Sequence, residues 1–475
     1  MELLRFFRIA FLFMLPILAS FSAFSQTVWS LEECIRHALQ NNLQIRQGRL
    51  NVGMAHENLA LSRASQLPSL NANATHGINT GRTIDPFTNT FATESVQSNN
   101  FSLSTGMTLY SGFQIRNSIE QSKHDLEASR FDVQKMENDV TLSVTSAYLQ
   151  ILLARELVEV AARNLEITRL QIDRTAQLVE AGTLARGSLL TIEAQAATDE
   201  LQLINSQNQL DFARLNLAQL LRLDDYQDLE IEIPEIDISE IVMLEESPMQ
   251  IFNASVGNQP EVQAADYRTA SAEKGVRIAV GARSPMLSLR GSYGTGYSGA
   301  IREITDVVMG QQQIGVTAGG ESVFGPSFDY SMRIKPFRNQ IEENLNRSIA
   351  FVLTIPIINN WQVNSNISRS RIALDNARVN KQMVRDQFFM SIQQAHADAR
   401  AALKRYNSTS KNVVALEEAF RYTSQKFNLG MVNTLEFNDA RNRLSTAQSD
   451  MVQAKYEYVF RVKMLNYFLG HPISF

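Results

Sequence analysis

Four segments of the chain alternate apolar with small or polar residues, at the period of a β-strand that has one apolar face. The segments are residues 70–76, 101–109, 287–293 and 349–357. In the clearest of them, Phe101, Leu103 and Leu109 are separated by serine, glycine and threonine. Alternation over about 9–11 residues is typical of a tilted transmembrane strand with one lipid face and one lumen face. The pattern therefore predicts four membrane strands per chain.

Elsewhere the apolar spacing is that of very long helices. No proline interrupts the chain between Gly112 and Pro234, and the helical pattern runs over residues 112–179, a length of about 100 Å at 1.5 Å per residue. Apolar residues keep heptad spacing at Leu126, Val133, Val140, Ala147, Ala154 and Ala161, at Val144, Ile151, Val158, Leu165, Ile172 and Val179, and at Ile392, Ala399, Tyr406, Val413, Phe420 and Phe427. Sustained heptads on neighbouring segments predict coiled-coil helical hairpins.

The chain contains an internal duplication. Pro68-Ser69-Leu70 matches Pro285-Met286-Leu287 at an offset of 217, and Gly182 meets Gly430 at an offset of 248. The difference of 31 residues predicts an insertion between Gly294 and Ser348, and its many glycines favour an outer loop. The sequence is thus two copies of one unit, each with a helix, two strands and a long helical hairpin.

The boundaries of these units follow from the two patterns. We predict a signal peptide at 1–25, repeat 1 at 26–223, a linker at 224–248 and repeat 2 at 249–475. Repeat 1 has strands near 69–76 and 101–110, a long helix 112–179, a turn 180–188 and a return helix 189–221. Repeat 2 has strands near 286–294 and 348–357, a long helix 360–428, a turn 429–434 and a return helix 435–469. When Leu189 is matched with Leu435, the first turn is two residues longer than the second.

The N-terminus has the features of an export signal. Arg5 and Arg8 precede a short apolar run, and small residues then lead to Ser25. Gln26, rather than cysteine, follows the expected cut, so we expect no lipid anchor. No later run is long and apolar enough for a transmembrane helix, so any membrane crossing must use strands.

Composition and charge exclude several function classes. A net charge of −5 gives no sign of nucleic-acid binding, and a single cysteine, Cys34, excludes an internal disulfide and is most simply a small residue on a helix face. The six histidines have no ligand spacing, so we expect neither a metal site nor a cofactor. Gly294-Thr295-Gly296-Tyr297-Ser298-Gly299 resembles a dinucleotide fingerprint, but no helix is expected after it. Ser271-Ala272-Glu273-Lys274 lacks the partner motifs of a Ser-x-x-Lys enzyme. No constellation of residues supports an enzyme.

The number of strands requires several copies of the chain. Four strands cannot close a barrel, and an open sheet edge in lipid leaves backbone groups unsatisfied. Two chains would give eight strands with a filled interior, whereas three would give twelve and a lumen. We therefore predict a homotrimer, although the count alone also allows a tetramer.

The duplicated order and the turn Phe427-Asn428-Leu429-Gly430, followed by Thr434-Leu435-Glu436-Phe437-Asn438-Asp439-Ala440, resemble the TolC-like outer-membrane efflux and secretion channels. The resemblance implies a mainly α chain with a membrane β-barrel, in which a trimer forms a 12-stranded barrel in outer-membrane lipid above an α-helical periplasmic tunnel. It also implies a passive exit channel for efflux or type I secretion, which works with a periplasmic adaptor (membrane fusion) protein and an inner-membrane transporter. The alternative is a periplasmic coiled-coil scaffold without a pore.

The resemblance also implies site residues at the two turns. Glu436 and Asp439 would ring the periplasmic mouth of the pore, since a spacing of three places both carboxylates on one helix face. The other interpretation is that they are solvated acids near a helix N-terminus, where negative charge is favourable. The turn residues expected to meet the adaptor are Gly182, Arg186, Gly430 and Val432. Val432 stands where related channels often carry an arginine that locks the mouth.

Overall fold

The computed structural model describes residues 28–84, 89, 91–92, 95–224, 229–234, 236, 238, 241 and 246–471. The predicted signal peptide, 1–25, lies outside these residues, as does about half of the predicted linker 224–248. The helices of the described part are α1 Leu31–Asn41, α2 Leu43–Ala64, α3 Gln114–Glu180, α4 Arg186–Leu221, α5 Pro248–Ser255, α6 Pro260–Gly281, α7 Phe337–Glu343, α8 Gln362–Asn428 and α9 Thr434–Phe468. Its strands are β1 Ser69–Asn79, β2 Thr83–Ile84, β3 Phe91–Ala92, β4 Val96–Tyr110, β5 Met286–Ser298, β6 Arg302–Val316, β7 Ser322–Ile334 and β8 Asn346–Thr354.

The two longest helices, α3 and α8, each contain 67 residues, which corresponds to about 100 Å. Their N-terminal ends repeat the same backbone geometry: Gly112 and Phe113 have φ of +62° and +60°, and Asn360 and Trp361 have φ of +49° and +65°. The two repeats, related by the offset of 248, therefore share an unusual left-handed turn. In each repeat this turn redirects the chain from a strand segment into a helix. Among the described residues, no helix combines the length and apolar composition needed to cross a membrane.

Four strands form an antiparallel sheet in the order β1-β4-β5-β8. Representative partners across the sheet are Leu70 with Thr105, Thr105 with Gly291, and Gly291 with Ile349. The last strand was expected near 348–357, but β8 ends at Thr354. Pro356 lacks the N–H that would continue the ladder, which explains the earlier end.

The insertion between β5 and β8 differs from the loop expected there. It contains β6 and β7, which pair over their whole length as a two-stranded ribbon, and the short helix α7. Gly310, Gly315 and Gly325 lie inside these strands rather than in a loop. The loop prediction was wrong because it relied on the glycines. It overlooked the period-two spacing of Phe324, Phe328 and Tyr330, which is that of a strand.

The two hairpin turns also differ from the prediction, because they have the same length. Five residues, 181–185, separate α3 from α4, and five, 429–433, separate α8 from α9. Arg186 therefore corresponds to Thr434, and the expected two-residue excess in the first turn is wrong. The error came from matching Leu189 with Leu435. Gly187 lies in the first turn of α4, where its carbonyl oxygen accepts a hydrogen bond from the Thr191 hydroxyl at 2.9 Å.

The described chain divides into two compact units, each with parts of both repeats. Unit 1 comprises Met1–Gly53, Ala128–Asp266 and Val379–Phe475, and unit 2 comprises Met54–Glu127 and Tyr267–Arg378. Heptad positions form the core of unit 1, where Val144, Ile392 and Leu217 are fully buried. Unit 2 contains the four-stranded sheet.

Part of the predicted linker packs against the core of unit 1. Trp29 and Ile231 form a parallel β-bridge, and the Tyr148 hydroxyl donates a hydrogen bond to the Glu232 carbonyl oxygen at 2.6 Å. Cys34 is fully buried in the same core, and burial raises the pKa of its thiol to about 12. Cys34 was expected to be a small residue on a helix face, and it lies on the buried face of α1.

Candidate membrane sheet and hairpin-tip site

The four-stranded sheet has one apolar face. Side chains of directly opposed residues in neighbouring strands lie on the same face of a sheet, so the register identifies its members. This face carries Leu70, Ala72, Ala74, Phe101, Leu103, Thr105, Met107, Tyr110, Leu287, Leu289, Tyr293, Ile349, Phe351 and Leu353. Ile349 and Phe351 are 81% and 70% exposed. Large apolar side chains exposed in a row over four strands indicate an environment other than water.

The opposite face of the same sheet is polar. Its members are Ser69, Asn71, Asn73, Thr75, Ser102, Ser104, Gly106, Thr108, Ser288, Arg290, Ser292, Ser348, Ala350 and Val352. The hydroxyls of Ser292 and Ser348 lie 2.7 Å apart and form a hydrogen bond across the strands. An apolar and a polar face on one sheet correspond to the lipid side and the lumen side of a membrane barrel.

Both edges of this sheet are open within the chain. The strand order ends with β1 on one side and β8 on the other, so each has one hydrogen-bonded neighbour. The outer N–H and C=O groups of an edge strand can pair with another strand. In lipid they must do so, since no water is present to satisfy them.

The predicted pore residues lie at the tip of the second long hairpin, formed by α8 and α9. The side chain of Asn433 caps α9 by accepting a hydrogen bond from the Glu436 N–H at 2.9 Å. Phe437 stacks on Phe427 with 4.7 Å between ring centroids. This packing fixes the first turn of α9 against α8 and leaves Glu436 and Asp439 exposed.

Asp439 has an ion-pair partner on its own helix. Its carboxylate lies 3.0 Å from the guanidinium of Arg443, one helical turn further on, and both side chains are more than half exposed. An exposed pair of this kind contributes little to stability, but it partly neutralises the Asp439 charge. Of the two acids, Glu436 therefore presents the charge less affected by a neighbouring cation.

The predicted docking residues lie at both turns. Gly182 and Gly430 have the same φ of +71°, a left-handed conformation that glycine adopts without strain. Arg186 is exposed at the start of α4, and Val432 is half-exposed. The sequence interpretation missed Leu429, Met431 and Leu435, which are exposed by 75%, 68% and 73% around the second turn. Their signal was a run of large apolar residues, with Val432 among them, at the tip of a helical hairpin.

A buried polar cluster in unit 1 was also missed. The Arg441 guanidinium pairs with Asp199 through contacts of 2.9 and 3.1 Å, and it also donates a hydrogen bond to the Thr168 hydroxyl. Burial lowers the pKa of Arg441, and the Asp199 carboxylate opposes that shift. The cluster links α3, α4 and α9. At the offset of 248 the corresponding residues are Glu193 and Ala447, so the interaction belongs to one repeat interface alone.

Comparison with known proteins assigns the chain to a family. The model of the outer membrane efflux protein family matches residues 34–221 and 252–471. The outer membrane efflux protein BepC of Brucella suis is 22% identical over 93% of this chain and 85% of its own length. Toxin and drug export protein A of Aggregatibacter actinomycetemcomitans is 21% identical over 90% and 83%.

Solved structures share the fold. The outer membrane protein VceC of Vibrio cholerae superposes with a TM-score of 0.72 at 16% identity, covering 94% of this chain and 97% of that one. The CmeC outer membrane channel of Campylobacter jejuni also superposes with a TM-score of 0.72 at 16% identity, covering 93% and 85%. Both repeats are covered by the family match and by these superpositions. The chain belongs to the outer membrane efflux protein family.

Proposed function

We propose that three copies of this outer-membrane exit channel close one 12-stranded barrel and continue as a helical periplasmic tunnel. Membership of the family confirms the predicted outer-membrane location and the exit-channel function. The observation that carries the three-copy proposal is the two-faced sheet with open edges at β1 and β8. Three sheets of four strands give a barrel with room for a lumen, whereas two would give one that side chains fill.

The conduit is passive in this proposal. Proteins of the efflux channel family are not enzymes. The described residues contain no group of His, Cys, Asp and Glu that could hold a metal ion. Energy for transport would come from a transporter in the inner membrane, and the channel would supply a water-filled path. Serine, threonine and asparagine side chains on the polar face suit such a path, because they interact with hydrated cargo without binding it tightly.

The hairpin tips would dock a periplasmic adaptor protein. Leu429, Met431 and Leu435 form an exposed apolar group at the second turn, and Arg186 adds a positive charge at the first. Apolar residues surrounded by polar ones are typical of a protein-binding surface. Gly182 and Gly430 have no side chain and a left-handed φ, so another helical tip can approach the two turns closely. Val432 lies between Met431 and Leu435 in the apolar group of the second turn.

Glu436 and Asp439 would narrow and charge the periplasmic mouth. Both are exposed on α9, three residues apart, so three copies would bring six carboxylates around one axis. A ring of carboxylates favours cations and can bind a multivalent cation that blocks flow. The ion pair between Asp439 and Arg443 reduces the contribution of Asp439 to this field.

The direct test of a pore is single-channel recording. Purified protein is inserted into planar bilayers, and its oligomeric mass is measured in the same detergent preparation. We expect discrete conductance steps from a three-chain species. A folded three-chain species without conductance would favour the scaffold alternative, in which the apolar face packs inside the protein.

A further inference from the structure

The ribbon formed by β6 and β7 has two chemically different faces. Opposed residues Ile304 and Met332, Val307 and Tyr330, and Met309 and Phe328 share one face. With Phe324, Pro326, Val316 and Ile334 they form a mainly apolar row, interrupted by Gln311 and Gln313, which we call the ribbon's apolar face. The other face is mainly polar and includes Glu303, Asp306, Gln312, Ser327, Asp329 and Arg333. The ion pair between Glu303 and Arg333, at 2.7 Å, lies on this polar face.

The apolar face is uncovered in the single chain. Met309 is 77% exposed, Phe324 57% and Phe328 46%. With strands of 15 and 13 residues, the face is about 40 Å long and about 10 Å wide, or about 400 Å². A patch of that size usually marks an interaction site, and a lone two-stranded hairpin has marginal stability in water. A partner surface is therefore expected.

The base of the ribbon is held firmly. The side chain of Gln340, which is 1% exposed, donates hydrogen bonds to the carbonyl oxygens of Ser298 and Lys335 at 3.0 and 2.8 Å. Its amide oxygen accepts a hydrogen bond from the Ser298 N–H at 2.9 Å. Because Ser298 precedes β6 and Lys335 follows β7, one buried amide fixes both ends of the insertion. A fixed arm loses little conformational entropy on docking.

Lipid is an unsuitable occupant of the apolar face. Gln311 and Gln313 stand in the middle of it, whereas the apolar face of β8 presents Ile349, Phe351 and Leu353 without an intervening polar side chain. The ribbon is also a separate two-stranded sheet, so each strand has one open edge. Unpaired amides and strand edges are costly in hydrocarbon but tolerable against protein and water.

The strand order indicates which surfaces lie beside the ribbon. In unit 2, β1 starts after α2 and β8 leads into α8, so the β1–β4 and β5–β8 connections lie at the sheet end remote from those helices. Two β2–β3 hairpins adjoin the ribbon. The hairpin of its own chain, across β4 and β5, leaves the ribbon's apolar face exposed, and the other is the β2–β3 hairpin of the next copy if copies join through β8 and β1. That hairpin exposes the opposed residues Ile84 and Phe91 by 54% and 65%.

We propose that the ribbon's apolar face docks on the β2–β3 hairpin of the neighbouring copy, with Phe328 and Tyr330 contacting Ile84 and Phe91. The proposal rests on the three-copy barrel proposed above. The ribbon then links adjacent copies at the outer end of the barrel. The insertion directly precedes β8, the edge strand of repeat 2 at the boundary between copies.

Photocrosslinking tests this contact. A benzoylphenylalanine replaces Phe328 on the apolar face or, as the matched control, Ser327 on the polar face of the same strand. We expect illumination of the purified channel to give a two-chain adduct from position 328, mapped to a peptide that contains Phe91, and at least tenfold less from position 327. Adducts from 328 to lipid alone, to another protein or to its own chain would overturn the proposal, as would the absence of an adduct.

A second variant covers the case in which the probe disturbs the ribbon. The double substitution F328S/Y330S is compared with S327A/D329A by the temperature at which the oligomer dissociates in detergent. We expect a lower dissociation temperature only for the first, and equal temperatures would overturn the proposal. Conductance and oligomeric mass are measured on the same samples. A conducting three-chain species without the adduct refutes only the contact between the ribbon and the β2–β3 hairpin. A monomeric, non-conducting parent protein refutes the three-copy barrel itself.

Discussion

Arg441 and Asp199 form a buried ion pair, with 2.9 Å between Nη1 and Oδ2, although 242 residues separate them in the chain. The pair joins α9, which carries the proposed pore acids, to α4 of the other repeat, and Thr168 of α3 completes it. The interface between repeats therefore contains a directional polar contact that is buried within the heptad core. Such a contact specifies one alignment of the helices, since any shift would leave a charge buried without a partner.

Breaking this pair should destabilise the protein strongly. Arg441→Ala leaves the Asp199 carboxylate buried without its cation, and we expect a loss of about 3–5 kcal/mol in the free energy of unfolding. Denaturation followed by circular dichroism measures it. The matched control is Arg421→Ala, which removes an exposed pair with Glu418 and should cost about 0–1 kcal/mol. Equal effects of the two substitutions would mean that the buried pair has no special role.

Gly112 is required by geometry at the turn that leads into α3. Its φ of +62° disfavours any side chain, and a Cβ there would clash with the carbonyl oxygen of Gly281. We expect Gly112→Ala to destabilise the protein by about 1–3 kcal/mol. Gly53→Ala is the control, because it lies in helix α2 with open space around it and should stabilise by about 0.5–1 kcal/mol. In thermal melting we expect the midpoint temperature to fall for Gly112→Ala and to rise for Gly53→Ala.

Glu261 should make stability depend on pH. Burial raises the pKa of Glu261 above its usual 4.5, although Lys135 opposes the shift. The folded state then holds the proton more tightly than the unfolded state, so the free energy of unfolding falls as pH rises from about 4.5 through the folded pKa.

Replacing this acid should remove the effect. We expect Glu261→Gln to melt at a higher temperature than the parent at pH 8 and at the same temperature near pH 4. The control Glu193→Gln, at an exposed helix position, separates burial from the loss of one negative charge. A Glu261→Gln difference that does not vary with pH would contradict the assignment.

The pore acids should control block by multivalent cations. In single-channel recordings, Glu436→Ala with Asp439→Ala should raise the blocking concentration of a trivalent cation by about tenfold or more, since about 1.4 kcal/mol of lost attraction is already tenfold. Arg443→Ala should strengthen block, because it frees the Asp439 carboxylate. Asp450→Ala, an exposed acid further along α9, is the control and should leave block unchanged. Unchanged block in the double variant would place both acids away from the pore axis.

The exposed apolar residues of the second turn should matter for export and not for the pore. The variant L429S/M431S/L435S should retain single-channel conductance, since these side chains are exposed and support no core. In cells it should abolish export of the channel's cargo if these residues bind an adaptor. The control L170S/L201S changes residues of similar exposure on α3 and α4, away from the turns. Normal export by the triple variant would refute docking at this turn.

The sequence predicted the elements whose periodicity is strong. Heptads located α3 and α8 to within two residues at their N-terminal ends, and alternation located the strands that contain Leu103 and Phe351. The fold class, with long helical hairpins and a small antiparallel sheet in the outer membrane efflux family, is confirmed.

The remaining features depend on information that local patterns lack. The first turn was predicted too long because matching Leu189 with Leu435 shifts the return helices by two residues, and apolar spacing alone does not locate the first residue of a helix. The ribbon was obscured by its glycines and by two register shifts, which interrupt the alternation of β6. The pair between Arg441 and Asp199 depends on how helices from different repeats align, and one sequence does not reveal that alignment.

Cross-linking across the sheet edges tests the three-copy barrel most directly. In a Cys34→Ser background, a cysteine at Asn73 of β1 is combined in turn with a cysteine at each of the nine positions of β8, and the channel is oxidised. A cysteine at Ser292 of the interior strand β5 replaces the β8 cysteine as control. We predict that one or two adjacent β8 positions give a covalent three-chain species that still conducts, and that the control gives none. A conducting protein in which no β8 position links to β1, or in which two or four chains are linked, would contradict the account.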